Sequence, residues 1–252
     1  MSMLFCNINF NQKNKSDLLG YCENEKTKVI IPVNAALIVG ANFRERFFDI
    51  LNNNYVTFDG QIPYFVACLF NGKYQKYIKL AGSDIVYDFS EFAAKKHYKM
   101  FFLGGKKESN QTAVNVIKEK YNISIEGYSP DFEDYPFSEK FNIICLEKIN
   151  IFKPDILFVG FGAPKQEYWI DDNIEFLSEN GVKYAIGCGG TFDFVSQKIK
   201  RAPVFFQKIG LEGLYRLYQE PSKMRWNRLI DSCRFFKYIW HKPEFENRNV
   251  TL

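Results

Sequence analysis

Short apolar runs alternate with amphipathic stretches through most of the chain. The apolar runs are rich in β-branched and aromatic residues and predict buried strands at 28–33, 55–58, 99–103, 123–128, 155–161 and 183–186. Apolar residues at helical spacing predict helices at 35–52, 62–70, 83–96, 109–121 and 141–150. The helix at 62–70 is apolar enough to be a buried helix, and Ser83 is a candidate cap for the helix after it. Strands and helices thus alternate at the βαβ period. We predict an α/β fold with a doubly wound, mainly parallel sheet, which is Rossmann-like.

Both ends of the chain depart from this alternation. Residues 1–27 are polar and predict an edge hairpin or a loose lead-in. Two helical stretches, 205–218 and 224–240, follow the last strand, so we divide the chain into an α/β domain at 1–196 and a helical appendage at 197–252. An apolar stripe on the second stretch is typical both of an interfacial membrane helix and of a helix packed on its own domain: Trp226, Leu229, Ile230, Cys233, Phe236 and Trp240.

Two glycine-rich turns follow successive predicted strands. We name residues 160–164 the first glycine turn and residues 187–190 the second glycine turn. A helix is expected to begin at Pro164 and to present Gln166 and Glu167 above the strand end. Two such turns at neighbouring strand ends form a ledge of backbone N–H groups that suits the phosphates of a nucleotide. The alternative is a pair of ordinary strand–helix turns.

The composition sets limits on the class of protein. With 252 residues, of which 46% are hydrophobic, the chain has enough apolar surface for a sizeable core. The net charge of +4 is too small to indicate a binding partner, and we predict no binding to nucleic acid. The distribution of charge is more informative, because twelve Lys or Arg and five Asp or Glu residues lie from residue 198 onward. The appendage is therefore basic.

Cysteine and histidine usage argues against metal and disulfide chemistry. Six cysteines show no CxxC spacing, which favours reduced, buried thiols in a cytosolic protein. Two histidines make a histidine-rich metal site improbable. No signal-peptide pattern and no apolar run of about eighteen residues occurs. We expect a cytoplasmic protein that touches a membrane only from its surface.

The carboxyl ends of the predicted strands carry the candidate chemistry, because open α/β sheets bind ligands there. The polar and glycine residues at these ends are Asn34, Asp59, Gly104, Gly105, Gln166, Glu167, Thr191 and Asp193. Asp59 is the best candidate general base, since it follows a strand directly and Gly60 leaves room for a substrate. The alternative readings are a plain turn at Asp59 and a helix cap or turn anchor at Asp193.

Other nucleotide sites are not supported by the sequence. The glycine turns match neither GxGxxG nor GxxxxGK[ST], so neither a nicotinamide oxidoreductase nor a P-loop protein is indicated. No Asp-x-Asp pair follows a strand, and we therefore predict no metal and no cofactor. Backbone amides and Lys or Arg side chains would then meet the charge of a leaving group.

The ordered motifs of the chain resemble the WecG/TagA/CpsF glycosyltransferases of bacterial surface-polysaccharide synthesis. The similar segments cover roughly residues 28 to 230 and appear in family order: Asn34 before a helix, Phe58-Asp-Gly60, Ala81-Gly-Ser-Asp84, Phe102-Leu-Gly-Gly105, Gly160-Phe-Gly-Ala-Pro-Lys-Gln-Glu167, Gly189-Gly-Thr-Phe-Asp-Phe194, Arg201-Ala-Pro203 and 210–221. Together they are specific, although no single one is.

This resemblance implies an inverting, metal-independent transfer of a sugar from a UDP-sugar to a polyprenyl-diphosphate-linked sugar at the inner face of the cytoplasmic membrane. The sugar would be of the N-acetylmannosamine type or a related hexose or uronic acid. Asp59 would be the general base, and Gln166 would line the donor pocket. The full donor set would be Asn34, Gly104, Gly105, Gly162, Pro164, Gln166, Glu167, Gly189, Gly190, Thr191 and Asp193.

The resemblance also implies that the basic appendage faces the membrane and contacts the diphosphates. The acceptor or diphosphate residues would be Lys79, Arg201, Arg216, Arg225 and Arg228. Lys79 stands where the family has an arginine, which keeps the charge but loses the bidentate fork, and Pro32 stands where the family has a threonine. A non-catalytic protein that binds a nucleotide sugar or a lipid diphosphate is the alternative function.

Overall fold

The computed structural model of the protein describes most of the chain in two compact units. The described residues are 3–11, 14–20, 26–70, 72, 77, 79–199, 202–203, 205–206, 211–219, 221 and 223–245. One unit, here the sheet unit, comprises residues 14–32 and 80–201. The other, here the split unit, comprises residues 1–13, 33–79 and 202–252. The predicted boundary at residue 196 stays a prediction.

The described residues contain one six-stranded sheet, and all of its strands except Tyr55–Phe58 lie wholly or almost wholly in the sheet unit. The strands of the six-stranded sheet are β3 (Lys28–Val33), β4 (Tyr55–Phe58), β5 (Met100–Gly104), β6 (Ile125–Tyr128), β7 (Ile156–Gly160) and β8 (Tyr184–Gly187), in the order β4-β3-β8-β7-β5-β6. The pairs β3–β8, β8–β7, β7–β5 and β5–β6 are all parallel. Every residue of β5 and β8 is buried, as apolar runs without alternation require when both faces of a sheet are covered. The predicted α/β fold with a parallel sheet is confirmed.

The helices of the sheet unit connect these strands. They are α1 (Lys15–Leu19), α5 (Gly82–Lys96), α6 (Lys107–Tyr121), α7 (Glu139–Phe152), α8 (Lys165–Asp172), α9 (Ile174–Glu179) and α10 (Thr191–Val195). Ser138 caps α7, because its hydroxyl accepts the N–H of Phe141 at 3.2 Å. The predicted cap at Ser83 is wrong: α5 already begins at Gly82, and the Ser83 side chain is buried inside its first turn.

The split unit contains the lead-in, two helices and the helix that follows β4. β1 (Met3–Phe5) and β2 (Ile8–Phe10) form the antiparallel hairpin that the sequence predicts as one of two options. The single helix predicted at 35–52 is two helices, α2 (Ala35–Phe43) and α3 (Glu45–Asn53). The extended backbone of Arg44 separates them, with φ −121° and ψ 106°.

Helix α4 (Gln61–Phe70) follows β4 as predicted, but it is not the buried helix that its composition indicates. Val66 and Ala67 are buried, while one face of the helix is exposed. This face is formed by Ile62, Phe65, Leu69 and Phe70, of which Leu69 is 68% exposed. We name these four residues the α4 apolar face.

The described C-terminal residues form α11 (Glu212–Gln219), α12 (Lys223–Cys233) and a 3₁₀ helix (Arg234–Ile239). Within the split unit, Tyr238 is buried and its ring meets that of Phe43 at 5.7 Å, edge to face. The predicted stripe is mostly exposed instead: Trp226, Ile230, Cys233, Phe236 and Trp240. The buried residues of this segment, Phe235 and Tyr238, lie outside the stripe.

The five described cysteines are free thiols, and three of them are buried. Cys6, Cys145 and Cys188 are buried free thiols, Cys68 is partly exposed and Cys233 is exposed; Cys22 lies outside the described residues. Burial raises the pKa of the Cys6 and Cys145 thiols to about 12. Among the described residues, no helix has the length and apolar character to cross a bilayer, and no cluster of His, Cys, Asp and Glu has the arrangement of a metal site.

Candidate active site

The Gln166 side chain joins the two glycine turns in the sheet unit. Gln166 lies in the first turn of α8 and is buried. Its amide oxygen accepts the N–H of Gly162 at 3.2 Å and the N–H of Gly189 at 2.9 Å. Two N–H groups of the predicted phosphate ledge thus already donate to a side chain. The first and second glycine turns are held together at the ends of β7 and β8.

Glu167 lies directly behind this junction and is 1% exposed. Its Oε1 accepts a hydrogen bond from Gln166 Nε2 at 2.8 Å, whereas its buried Oε2 has no hydrogen-bond partner among the described residues. Burial raises the pKa of the Glu167 carboxyl to about 7, and the hydrogen bond from Gln166 opposes this shift only in part. Burial and the nearby Glu167 charge also raise the pKa of the Cys188 thiol well above its ordinary value.

Gly187 has no side chain, which leaves room for the Gln166 and Glu167 side chains. A Cβ at Gly187 would lie 2.8 Å from Gln166 Nε2 and 2.8 Å from Glu167 Oε1, closer than real Cβ atoms approach other atoms. The two polar side chains can cover the end of β8 only because this residue is glycine. The second glycine turn therefore begins with a residue whose role is close packing.

The Phe192 ring packs over the other glycines at the strand ends. A Cβ at Gly105 or at Gly160 would lie 2.8 Å from this ring, and the ring stacks on Phe102 with centroids 4.7 Å apart. Gly104 is covered in the same way by Phe161, whose ring would lie 2.7 Å from a Cβ there. Gly104 and Gly105 also have φ values of +92° and +71°, in the left-handed region that favours glycine.

Asp193 and Thr191 anchor the second glycine turn. Asp193 Oδ1 accepts the hydroxyl hydrogen of Ser109 at 2.6 Å, so α10 is tied to α6. Thr191 is buried, and its hydroxyl donates to the carbonyl of Cys188 at 2.6 Å. Asp193 thus makes the contacts expected of an anchor for the turn, while its assignment to donor binding stays a prediction. Of the remaining predicted donor residues, Pro164 directly precedes α8 and is buried, and Gly190 directly precedes α10.

Asn110 is a residue of this region that the sequence analysis missed. It is buried in the first turn of α6, and its amide nitrogen donates to the carbonyls of Phe102 and Gly104 at 2.9 and 2.8 Å. Ser129 also donates to the Gly104 carbonyl, at 3.0 Å. The signal available in the sequence was a polar residue in the first turn of the helix that follows Gly104-Gly105. Asn110 fixes the carboxyl end of β5.

In the split unit, Asp59 and Asn34 follow the ends of two adjacent strands. The N–H of Asp59 donates to the carbonyl of Val33, the last residue of β3, at 2.9 Å. Asn34 caps α2 by accepting the N–H of Leu37 at 3.2 Å. A Cβ at Gly60 would lie 3.8 Å from the Asn34 Cβ, and both Asp59 and Gly60 are partly exposed. The carboxylate predicted as a base therefore follows β4 at a solvent-accessible position.

The predicted cationic residues are described only in part. Lys79 forms an isolated parallel bridge with Phe58 and is partly exposed, so it lies beside the end of β4 within the split unit. Arg201 lies outside the described residues. The backbone of Arg216 is in α11 and that of Arg225 and Arg228 is in α12, while the side chains of these three lie outside what the structure describes.

Comparison with known proteins finds a matching family model and several sequence relatives. The model of the family described as "Glycosyl transferase WecG/TagA/CpsF family" matches residues 3–249. An N-acetylglucosaminyldiphosphoundecaprenol N-acetyl-beta-D-mannosaminyltransferase of Bacillus subtilis is 31% identical over 217 residues, which are 85% of this chain and 80% of that protein. A transferase of the same name from Staphylococcus aureus is 28% identical over 216 residues, covering 83% of this chain and 78% of its own length.

Proposed function

This chain belongs to the WecG/TagA/CpsF family of glycosyltransferases, and we propose that it moves a sugar from a UDP-sugar to a polyprenyl-diphosphate-linked sugar. The observation that carries the proposal is the similarity over most of the chain to enzymes named for an N-acetylglucosaminyldiphosphoundecaprenol acceptor. Those names also favour an N-acetylmannosamine-type sugar for transfer. The product is a lipid-linked disaccharide for surface-polysaccharide synthesis.

The donor is proposed to bind at the glycine turns of the sheet unit. Parallel sheets bind nucleotides at the carboxyl ends of their strands, where helix starts and glycine-rich turns leave the backbone accessible. The absence of Cβ atoms at Gly104, Gly105 and Gly160 lets the Phe161 and Phe192 rings pack closely against the strand ends. Such a floor supports the donor assignment of both turns and of Gln166, Thr191 and Asp193.

Asp59 is proposed as the general base of an inverting displacement. Its carboxylate takes the proton of the acceptor hydroxyl, and the hydroxyl oxygen forms a bond to C1 of the donor sugar from the face opposite UDP. The bond between C1 and the phosphate oxygen breaks, and UDP leaves with both bonding electrons. We propose that cations, among them Lys79, Arg216 and Arg225, stabilise the diphosphates without a metal, since no Asp-x-Asp pair follows a strand.

The split unit is proposed to contact the inner face of the cytoplasmic membrane. The α4 apolar face and the exposed aromatic residues near the C-terminus give one unit an unusual amount of exposed apolar surface. The Phe70 and Trp240 rings meet edge to face at 5.2 Å, so α4 and the C-terminal segment share one apolar patch. A lipid-linked acceptor reaches an enzyme most directly from the bilayer surface, which supports this assignment.

Sugar transfer by Asp59→Asn tests the reaction. The substrates are UDP-N-acetylmannosamine and a short-chain polyprenyl diphosphate carrying N-acetylglucosamine, and the readout is formation of the lipid-linked disaccharide. We expect a loss of about 10²- to 10⁴-fold in kcat with unchanged donor binding. Asp49→Asn, at an exposed carboxylate on α3, is the matched control. Full turnover by Asp59→Asn would remove Asp59 as the base, and donor binding without turnover by the wild type would support the non-catalytic alternative.

A further inference from the structure

The buried hydrogen bond between Gln166 and Glu167 indicates a role for Glu167 beyond packing. Glu167 is 1% exposed, and one of its oxygens has no hydrogen-bond partner among the described residues. A buried carboxyl without full hydrogen bonding costs free energy of folding. A leucine would fill similar space without a polar group to desolvate. The cost indicates that an acceptor oxygen at this position does something besides packing.

The observed contact shows what the oxygen does. The Gln166 amide has its oxygen turned toward the N–H groups of Gly162 and Gly189, so its nitrogen is turned away from both turns. Glu167 Oε1 accepts the hydrogen bond of that nitrogen at 2.8 Å. Oε1 accepts this bond whether the carboxyl is ionised or carries its proton on Oε2, and it therefore favours the one orientation of the amide that joins the turns.

We propose that Glu167 is a positioning residue for the donor site: it holds the Gln166 amide, and through that amide it sets the spacing of the two glycine turns. The inference rests on the proposed donor role of these turns. Glu167 is too buried to contact a donor in this structure. Its effect on the donor passes through Gln166 and the backbone of the turns.

The close packing at Gly187 makes this arrangement stiff. The backbone of β8 approaches the Gln166 amide and the Glu167 carboxyl so closely that not even a methyl group fits between them. Neither side chain can shift toward the strand. A lost hydrogen bond at Glu167 is therefore expected to change the position of Gln166 and of the turns, because no inward repacking can absorb it.

A double-mutant cycle on donor KM tests the coupling. Glu167→Leu removes the acceptor at similar volume, and we expect donor KM to rise about tenfold or more with a much smaller change in kcat. Glu167→Gln, which still offers an oxygen to Gln166, is expected to stay within about threefold of the wild-type KM. Gln166→Ala should raise donor KM as well, and adding Glu167→Leu to it should have little further effect. Unchanged donor KM in Glu167→Leu, or fully multiplicative effects, would overturn the proposal.

Amide hydrogen exchange without substrate separates this proposal from the donor assignment. Loss of the Gln166 contacts should speed exchange at Gly162 and Gly189 in Glu167→Leu, while the surface variant Glu175→Leu should leave both rates unchanged. If exchange changes but wild-type protein shows no UDP-sugar binding in calorimetry, the proposed donor is wrong and the positioning contact stands. Unchanged exchange at both glycines refutes the positioning role itself.

Discussion

The Glu167→Gln variant is expected to become more stable relative to the wild type as the pH rises. Burial raises the pKa of the folded-state carboxyl from its ordinary value of 4.5 to about 7. Between these two values the unfolded chain has released the proton and the folded chain has kept it. The free energy of unfolding of the wild type therefore falls as the pH rises through this window. A glutamine side chain does not titrate and has no such loss.

The size of the effect follows from the width of the window. At about 1.4 kcal/mol per pH unit, the interval from 4.5 to about 7 corresponds to about 3 kcal/mol. Most of it develops between about pH 5 and about pH 8. Cys188, the titratable neighbour, stays neutral across this range because burial keeps the pKa of its thiol well above the ordinary value. Its protonation state does not contribute.

Urea unfolding of both proteins at a series of pH values measures the difference directly. We expect the free energy of unfolding of Glu167→Gln minus that of the wild type to increase by about 2–3 kcal/mol from about pH 5 to about pH 8. Glu175→Gln, at an exposed glutamate of α9, should show a nearly constant difference. A constant difference for Glu167→Gln as well would mean that the carboxyl is not buried as described, and the reasoning would fail.

Three further outcomes are expected. Gly187→Ala should lower the free energy of unfolding, measured in urea, by about 1–3 kcal/mol, because its methyl group overlaps Gln166 and Glu167. The control is Gly72→Ala, where a Cβ meets no described atom within 4 Å, and it should change the free energy of unfolding by less than about 0.5 kcal/mol. The double variant Phe65→Ser, Leu69→Ser should bind anionic phospholipid vesicles about tenfold more weakly than the wild type in a sedimentation assay. Its control is Ile151→Ser, at an exposed isoleucine of α7, and unchanged binding by the double variant would exclude the α4 apolar face as a membrane contact. UDP at about 100 times its dissociation constant should raise the free energy of unfolding by about 2.7 kcal/mol, whereas no shift in thermal unfolding would contradict a UDP donor.

The strands and both glycine turns were predictable from the sequence because the signals there are local. A run such as Ile156–Gly160 is apolar throughout and ends in glycine, which leaves few options besides a buried parallel strand and a turn. The predicted limits of these strands differ from those in the structure by at most two residues. The break at Arg44 has no such signal, because apolar spacing continues across it from α2 into α3.

Other features depend on contacts that no local pattern contains. The composition of α4 shows that it is apolar, but not whether protein covers all of its faces, and the expectation of burial was wrong for the α4 apolar face. Gln166 was predicted to lie above the end of β7, and it does lie in the first turn of α8, yet its bonds to Gly162 and Gly189 arise from the parallel pairing of β7 with β8. The contacts of Asn110 likewise arise from the way α6 packs against the end of β5.

The direct succession of Asp59 and α4 restricts the length of an acceptor. The α4 apolar face runs from Ile62 to Phe70, and at a rise of about 1.5 Å per helical residue even its far end, Phe70, is only about 15 Å from Asp59 along the helix. If the α4 apolar face rests on the bilayer, only a hydroxyl within that height of the lipid surface reaches the carboxylate. A diphosphate with a single sugar fits within this height, whereas a growing oligosaccharide would carry its terminal hydroxyl beyond it. With the α4 apolar face on the bilayer, the enzyme would accept only short lipid-linked acceptors and would act at an early step of chain assembly.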